Sequence, residues 1–383
     1  MSRVKFGDVV KDCKEKINRN NNPYEFYVAG DHMDTEDLVI RRKGRFATDD
    51  VGPAFIRLFR PGQILYGSRR TYLKKVAVAD FEGVTANTTF VFETKDESVL
   101  RQRLLPFIML SDSFTEWSIK RSKGSTNPYV LFSDLADFEF DLPDVKQQDE
   151  YVELLWSIWD AKEAYRKLLA ATDELVKARF VEMFGNYGNE KTRLSNVCLK
   201  GPQNGFYRKD ANVNGTVPII KMKELFGYDS MDKAVDCELV LLSENELNRF
   251  KLTHNDLLFG RRSLVLEGAG KCRRVGNLEK DTVFESSLLR ISVDSQRVRP
   301  RFLQSWFETS DGRKEIEGIR SVTTIAGIKG SDLANVMVPN VPIHLQDELL
   351  AYLEVIDNIK SGAGRTIEAV NSMLKSYLET ITT

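Results

Sequence analysis

The sequence predicts an α+β chain: two duplicated α/β lobes and two long helices with heptad stripes, in the order lobe, helix, lobe, helix. Three observations predict it. Gln148 to Phe184 contains neither Pro nor Gly. Steps of four and three from Tyr151 pass through Leu155, Ile158, Lys162, Tyr165, Leu169, Thr172, Val176, Arg179 and Met183, a heptad stripe on a long helix. The same stripe recurs 198 positions further on, through Leu349, Leu353, Ile356, Lys360, Ala363, Ile367, Val370, Leu374, Tyr377 and Ile381. Gln-Asp-Glu opens both helices, at Gln148 and at Gln346, and a Lys occupies the same place in each stripe. Finally, the segments before the helices match block by block. A repeat this long denotes a duplicated domain rather than a solenoid.

Each helix of this length spans roughly 55 Å at about 1.5 Å per residue, more than one lobe needs to cover its core. The expected boundaries are 1–147 for the first lobe, 148–184 for the spacer helix, 185–345 for the second lobe and 346–383 for the last helix. Gly362 and Gly364 fall inside the last helix, where they mark a bend or a close approach.

Within the lobes, Arg3 to Val9 corresponds to Thr192 to Val197. Polar loops follow at Asn18 to Asn22 and Gln203 to Asn214, then short strands at Phe26-Tyr27-Val28-Ala29 and Val217-Pro218-Ile219-Ile220. The third block is the clearest. Pro61 to Arg70 and His254 to Arg262 each give a polar turn, an apolar strand, a Gly and paired Arg. Strands at Thr89 to Phe92 and Ser287 to Val293 precede amphipathic helices at Ser98 to Ser111 and Pro300 to Thr309. Each lobe ends in a small polar loop, a Ser-Asp-Leu-Ala phrase, a strand and a Pro-containing turn into its long helix.

A chain of 383 residues has room for two or three domains, and 42% apolar with 29% charged residues excludes disorder. The net charge of −1 confines any nucleic-acid surface to a local patch. Cys13, Cys198, Cys237 and Cys272 lack CxxC spacing, and His32, His254 and His344 are far apart, so neither a disulfide framework nor a metal site is expected. With no signal peptide and no apolar run of membrane-spanning length, a soluble, cytoplasmic chain is expected.

Catalytic signals fail one by one. Asn127-Pro128-Tyr129 lacks the second Pro of the adenine methyltransferase motif, and no Gly-rich turn accompanies it. Gly268-Ala269-Gly270-Lys271-Cys272 lacks the P-loop spacing. Pro143-Asp144-Val145-Lys146 reads as a helix entry, and the dispersed His support no triad. Binding is expected, not catalysis.

Binding chemistry gathers in loops. Arg57, Arg60, Arg69, Arg70, Lys74 and Lys75 lie in a stretch without an acidic residue and include Tyr66 and Tyr72 among them. The second lobe answers with Arg261, Arg262, Lys271, Arg273 and Arg274 against the single Glu267. Such loops suit phosphate contacts, and Arg also bridges O6 and N7 of guanine. The candidate DNA contacts are Arg57, Arg69, Arg70, Tyr72, Lys74, Arg121, Lys123, Ser125 and Thr126 in the first lobe. In the second they are Lys221, Lys223, Arg261, Arg262, Ser263, Arg320, Thr323 and Thr324.

Taken in order, these features resemble the specificity (S) subunits of type I DNA restriction–modification enzymes, over essentially the whole chain. Leu65-Tyr66-Gly67-Ser68-Arg69-Arg70-Thr71-Tyr72-Leu73-Lys74-Lys75-Val76-Ala77 looks like the strand-and-loop phrase of a target recognition domain. Glu174 to Gly185 looks like the end of the central conserved helix. The resemblance implies two target recognition domains separated by two long antiparallel coiled-coil helices, each lobe reading half of a split double-stranded DNA target while the paired helices set the spacing. It further implies two modification (M) subunits and restriction (R) subunits as partners, which carry S-adenosylmethionine, ATP and Mg, with no cofactor in this chain. Divergence between Ser68-Arg69-Arg70-Thr71-Tyr72 and Arg261-Arg262-Ser263-Leu264 predicts an asymmetric target. Two alternatives stand beside it. One is a non-catalytic coiled-coil scaffold with two protein-binding lobes; the other is the recognition chain of another multi-subunit methyltransferase or restriction system.

Overall fold

The computed structural model describes residues 2–185, 187, 190–207, 215–228, 231, 237–322 and 325–381. Two compact units emerge, Met1–Lys167 with Ala363–Thr383, and Leu168–Gly362. The division falls inside both long helices, so each unit is a lobe together with the helical turns that pack on it.

In the first unit, an antiparallel sheet runs in the order Val10–Asp12, Thr89–Thr94, Ile64–Gly67, Val76–Val78. The strand Ile64–Gly67 is buried on both faces. Ile64 and Tyr66 enter one apolar cluster and Leu65 another, as the two-residue period of a strand requires. A second sheet is ordered Gly44–Arg45, Phe26–Val28, Gly83–Ala86, Phe55–Phe59, with its middle pair parallel.

The second unit repeats this plan. Its main sheet runs Cys198–Asn204, Leu288–Val293, Asp256–Gly260, Cys272–Arg274. Leu257 and Phe259 enter one cluster and Leu258 another. Its second sheet again pairs two strands in parallel, Val217–Ile220 with Val283–Phe284. Gln203 and Asn204, expected in a loop, continue the first strand, because Arg290 on the neighbouring strand donates to the Gln203 side chain. The rest of that loop, 208–214, lies outside the described residues.

The helical hairpins after the sheets also correspond. Leu105–Leu110 and Asp112–Arg121 meet at Ser111, whose hydroxyl donates to the Ile108 carbonyl at 2.7 Å and accepts from the Phe114 amide at 3.3 Å. Pro300–Glu308 and Ser310–Ile319 meet at Thr309, which makes the same two bonds to Trp306 and Gly312 at 2.7 and 3.2 Å. The expected helix from Ser98 is shorter than its pattern. Asp96 accepts from the Ser98 amide, and the Arg101 amide is drawn to Gln148, so helix begins only at Leu105.

The long helices are Val145–Phe184 and Ile343–Thr380, each starting three residues before the expected point. Asp144 receives the Gln147 amide at 2.9 Å and so caps the first entry, while Pro342 stands directly before the second. The repeated Gln has a clear physical role. Gln148 is buried, accepts from the Arg101 amide at 2.9 Å, and donates to the Val99 and Pro143 carbonyls at 2.8 and 2.9 Å. Gln346 repeats this with Arg299, Arg297 and Val341 at 2.8, 3.1 and 2.8 Å. The Asp after each Gln holds the same Arg, Asp149 with Arg101 and Asp347 with Arg299. Each lobe is thereby riveted to its helix.

Within the first unit, Leu155, Ile158 and Trp159 share a core with Leu374, Leu378 and Ile381, and Val370 packs against it. Within the second, Phe180 and Phe184 stack with Phe302 beside Leu349 and Leu353, with Val176 against them. In both units, early turns of one helix meet late turns of the other. Ile356 is also buried; Tyr165, Leu169 and Ile367 are half-buried. The two stripe lysines differ. Lys162 is buried, with its Nζ 4.8 Å from the Trp159 ring centroid, and burial pushes its pKa down, helped by Arg166. Lys360 is part-exposed and pairs with Asp173. The helix continues through Gly362 and Gly364, and a Cβ at either would meet no described atom within 4 Å.

Candidate nucleic-acid interface

The strand Ile64–Gly67 delivers the chain into Ser68-Arg69-Arg70, where a second loop ties it down. The Arg70 amide donates to the Pro128 carbonyl at 2.7 Å, and the Val130 amide to the Ser68 carbonyl at 3.0 Å. Tyr129 and Lys123 exchange backbone hydrogen bonds at 2.8 and 2.9 Å. Arg69, Tyr129 and Lys123 thus form a three-stranded scrap of sheet. Two loops separated by more than fifty residues become one ledge.

On this ledge Arg69 and Arg70 are exposed, and neither guanidinium has a partner among the described residues. Arg70 adopts a left-handed backbone at φ 50°, a conformation with a cost for a non-glycine residue. Tyr72, Ser125 and Thr126 are exposed beside them. Arg121 lies over the Trp117 ring at 4.6 Å. Lys123 pairs with Asp134 at 3.0 Å.

Two expected contacts of this unit belong to the fold instead. Arg57 points inward and holds the buried Asp12 at 2.7 Å. Lys74 bonds Asp112 at 2.6 Å and Glu36 at 3.2 Å. Burial opposes the Lys74 charge, but those carboxylates outweigh it and raise its pKa.

The second unit builds the same ledge as regular strands. Arg262–Ser263 pairs with Ala326–Gly327, which pairs in turn with Ser321–Val322. Arg262 is exposed, and its guanidinium has no partner among the described residues. Arg261 is half-buried and donates to the Ser286 carbonyl at 3.2 Å; burial and then Arg262 lower its pKa. Both line a groove of about 870 Å³ with Asn204, Ser321, Ile325 and Lys329.

The remaining expectations here are corrected or fall outside. Ser263 is buried and accepts the Val265 amide at 3.2 Å. Arg320 donates to the Ala269 carbonyl at 2.7 Å, securing the neighbouring turn. Lys221 pairs with Glu238 at 2.5 Å and Lys223 with Glu224 at 3.4 Å. Thr323 and Thr324 lie outside the described residues. Among the described residues no cluster of His, Cys, Asp and Glu suits a metal ion, and no helix is long and apolar enough to cross a membrane.

No family model matches the chain. It is 22% identical over 375 residues to the type I restriction enzyme EcoKI specificity subunit of Escherichia coli (strain K12), covering 88% of this chain and 79% of that protein. Its fold matches the type I restriction–modification S subunit from M. genitalium with a TM-score of 0.55, at 12% identity over 100% of this chain and 96% of the other. A chain from a structure of type I R-M complex assembly and conformational transition gives a TM-score of 0.55, at 16% identity over 99% and 97%. Over most of its length the chain is thus similar to type I restriction specificity subunits, and it shares their fold.

In these loops, the bridging residues are what sequence reasoning misses. Tyr129 and Gly327, the middle strands of the two ledges, carry no chemical signal of their own. Leu264 is missed as well, although it directly follows a candidate and is 90% exposed. Its neighbours Val265 and Leu266 make it look like part of an ordinary apolar run.

Proposed function

We propose that this chain is the non-catalytic DNA-reading subunit of a type I restriction–modification complex, with each unit reading one half of an asymmetric bipartite target. The observation that carries this is the doubled ledge. In both units the loop after a central strand is bridged to a second loop so that arginine without a partner among the described residues stands at the edge, in a chain of net charge −1. Duplex DNA offers phosphates and guanine acceptors to such arginines, and their recurrence at matching places in both units favours it over a protein-binding scaffold.

The two long helices, which contribute to both units, set the separation of the two readings and carry the docking surface for two modification subunits. Restriction subunits complete the complex. S-adenosylmethionine, ATP and Mg belong to those partners, and the assembly works in the cytoplasm. The test is co-expression with candidate modification subunits in a methylation-free host. Adenine methylation at a defined sequence appears only when this chain is present. Methylation at the same sequence without the chain would overturn the proposal.

A further inference from the structure

Both recognition loops carry one local pattern. In the first unit, exposed Arg70 is followed by Thr71, which is 3% exposed, and then by Tyr72 at 52%. In the second, exposed Arg262 is followed by Ser263, which is 8% exposed, and then by Leu264 at 90%. Thr71 Oγ1 lies 3.4 Å from the Ser122 hydroxyl, and Ser263 Oγ holds the Val265 amide at 3.2 Å. A small hydroxyl residue therefore pins the chain, and the residues on either side of it stand out in solvent: a cation before, a large apolar side chain after.

The pattern matters because the two projecting groups are chemically different and close together. A lone exposed leucine is unremarkable on a protein surface. Leu264, however, is the first of three consecutive exposed apolar residues, with Val265 and Leu266, beside an arginine that has no partner among the described residues. Arginine recognises the phosphate backbone, and apolar side chains next to such contacts pack on thymine methyls or wedge between stacked bases.

We propose that Tyr72 and Leu264 are wedges that enter the base stack of the bound duplex, next to phosphates held by Arg70 and Arg262. This inference rests on the DNA-reading function proposed above. The two wedges differ in kind. The flat Tyr72 ring stacks on a base, whereas the branched Leu264 separates two base pairs and favours pyrimidine–purine steps, which open most easily. Part of the target is then read through the ease of opening a step and not through base-edge hydrogen bonds.

The experiment starts by selecting duplexes from a random pool on the full chain. Failure to enrich any duplex removes the DNA-reading function, and this inference with it. With an enriched duplex in hand, 2-aminopurine is placed at successive positions. The wild-type chain raises its fluorescence at one step in each half of the site. Leu264→Ala abolishes the rise in one half only and weakens binding about tenfold with the salt slope unchanged; Leu264→Met retains both. Tyr72→Ala does the same in the other half. Arg262→Ala instead lowers the salt slope by about one phosphate contact. Binding that persists with the fluorescence pattern unaltered by Leu264→Ala and Tyr72→Ala overturns the wedge while leaving DNA reading intact. A loss of affinity without a fluorescence change overturns it too, because it places these side chains outside the stack.

Discussion

Arg57 and Arg69 are both arginines in the same basic stretch, yet the structure gives them opposite work. The Arg57 guanidinium is 12% exposed and faces a carboxylate, Asp12, that is 1% exposed. Burial pushes the Asp12 carboxyl up, outweighing Arg57 beside it. Its contribution to stability is therefore present below the unfolded pKa and lost as pH rises through the higher folded value. Arg57→Ala leaves that carboxylate without its charge partner and is expected to cost about 3–5 kcal/mol in urea unfolding, with site choice unchanged in whatever remains folded. Arg69→Ala, Arg70→Ala and Arg262→Ala are expected to leave unfolding midpoints nearly untouched; Arg69→Ala weakens DNA binding by about 1–3 kcal/mol if a base is contacted, while Arg70→Ala and Arg262→Ala weaken it across sequences and each lower the salt slope by about one. Titration of duplex binding beside the unfolding curves checks both halves. An Arg57→Ala chain of normal stability that binds DNA poorly would reverse the assignment. The sequence could not separate these arginines, because the Arg57 partner lies 45 residues away and only folding brings it near.

Among the elements, the long helices were the most legible, because a heptad stripe and its copy can be compared within one chain. What the stripe could not reveal is that its two lysines have different surroundings. Lys162 is buried against Trp159, whose indole nitrogen has no hydrogen-bond partner among the described residues. Lys360 instead reaches an exposed carboxylate. Because burial lowers the Lys162 pKa, stability rises as pH increases from the folded value toward the unfolded one. Lys162→Met is expected to raise the urea midpoint, by roughly 1–4 kcal/mol if it behaves like other replacements of buried charge. Lys360→Met should change stability by less than about 1 kcal/mol, as for exposed pairs. A marked loss of stability in Lys162→Met would show that the ammonium makes a contact the helix pair needs.

The rivets at the helix entries give an acid-side signature. Hydrogen bonds from Arg101 and Arg299 hold the Asp149 and Asp347 carboxyls below their ordinary range. Their contribution is present at neutral pH and fades as pH falls through the depressed folded values. Unfolding midpoints followed from about pH 5 to pH 2 should fall less steeply in the Asp149→Asn, Asp347→Asn double variant. An identical slope would mean that these pairs contribute nothing. The shared Gln-Asp-Glu opening was plain in the sequence; that its Gln makes three buried hydrogen bonds needed the partners at Val99, Arg101 and Pro143.

For the whole molecule, duplication is the property that organises everything else. It was readable because the heptad stripe, the Gln-Asp-Glu opening and the strand-Gly-Arg block of one half recur in the other, and the main sheet, the hairpin cap and the rivet of one unit have counterparts in the other. The recognition surface was less readable, because a ledge is made by bridging distant loops through residues such as Tyr129 and Gly327 that carry no charge. The spacer role has its own test. Seven residues inserted into both long helices, in phase with the stripe, add about 10 Å of helix at about 1.5 Å per residue. That is about three base pairs of duplex, and the gap between the two halves of the target should lengthen accordingly; an unchanged gap would deny the helices that role.

The central claim is that the two units read different halves of one DNA target. Sequencing of methylated adenines, in cells co-expressing this chain with its modification subunits, tests it most directly when wild type is compared with a chain whose Arg262 to Leu266 loop is replaced. The account predicts a single asymmetric two-part motif for the wild type, and for the variant a change in one part while the other and the gap stay as they were. A palindromic or uninterrupted motif, or a loop replacement that alters both parts together, would contradict it.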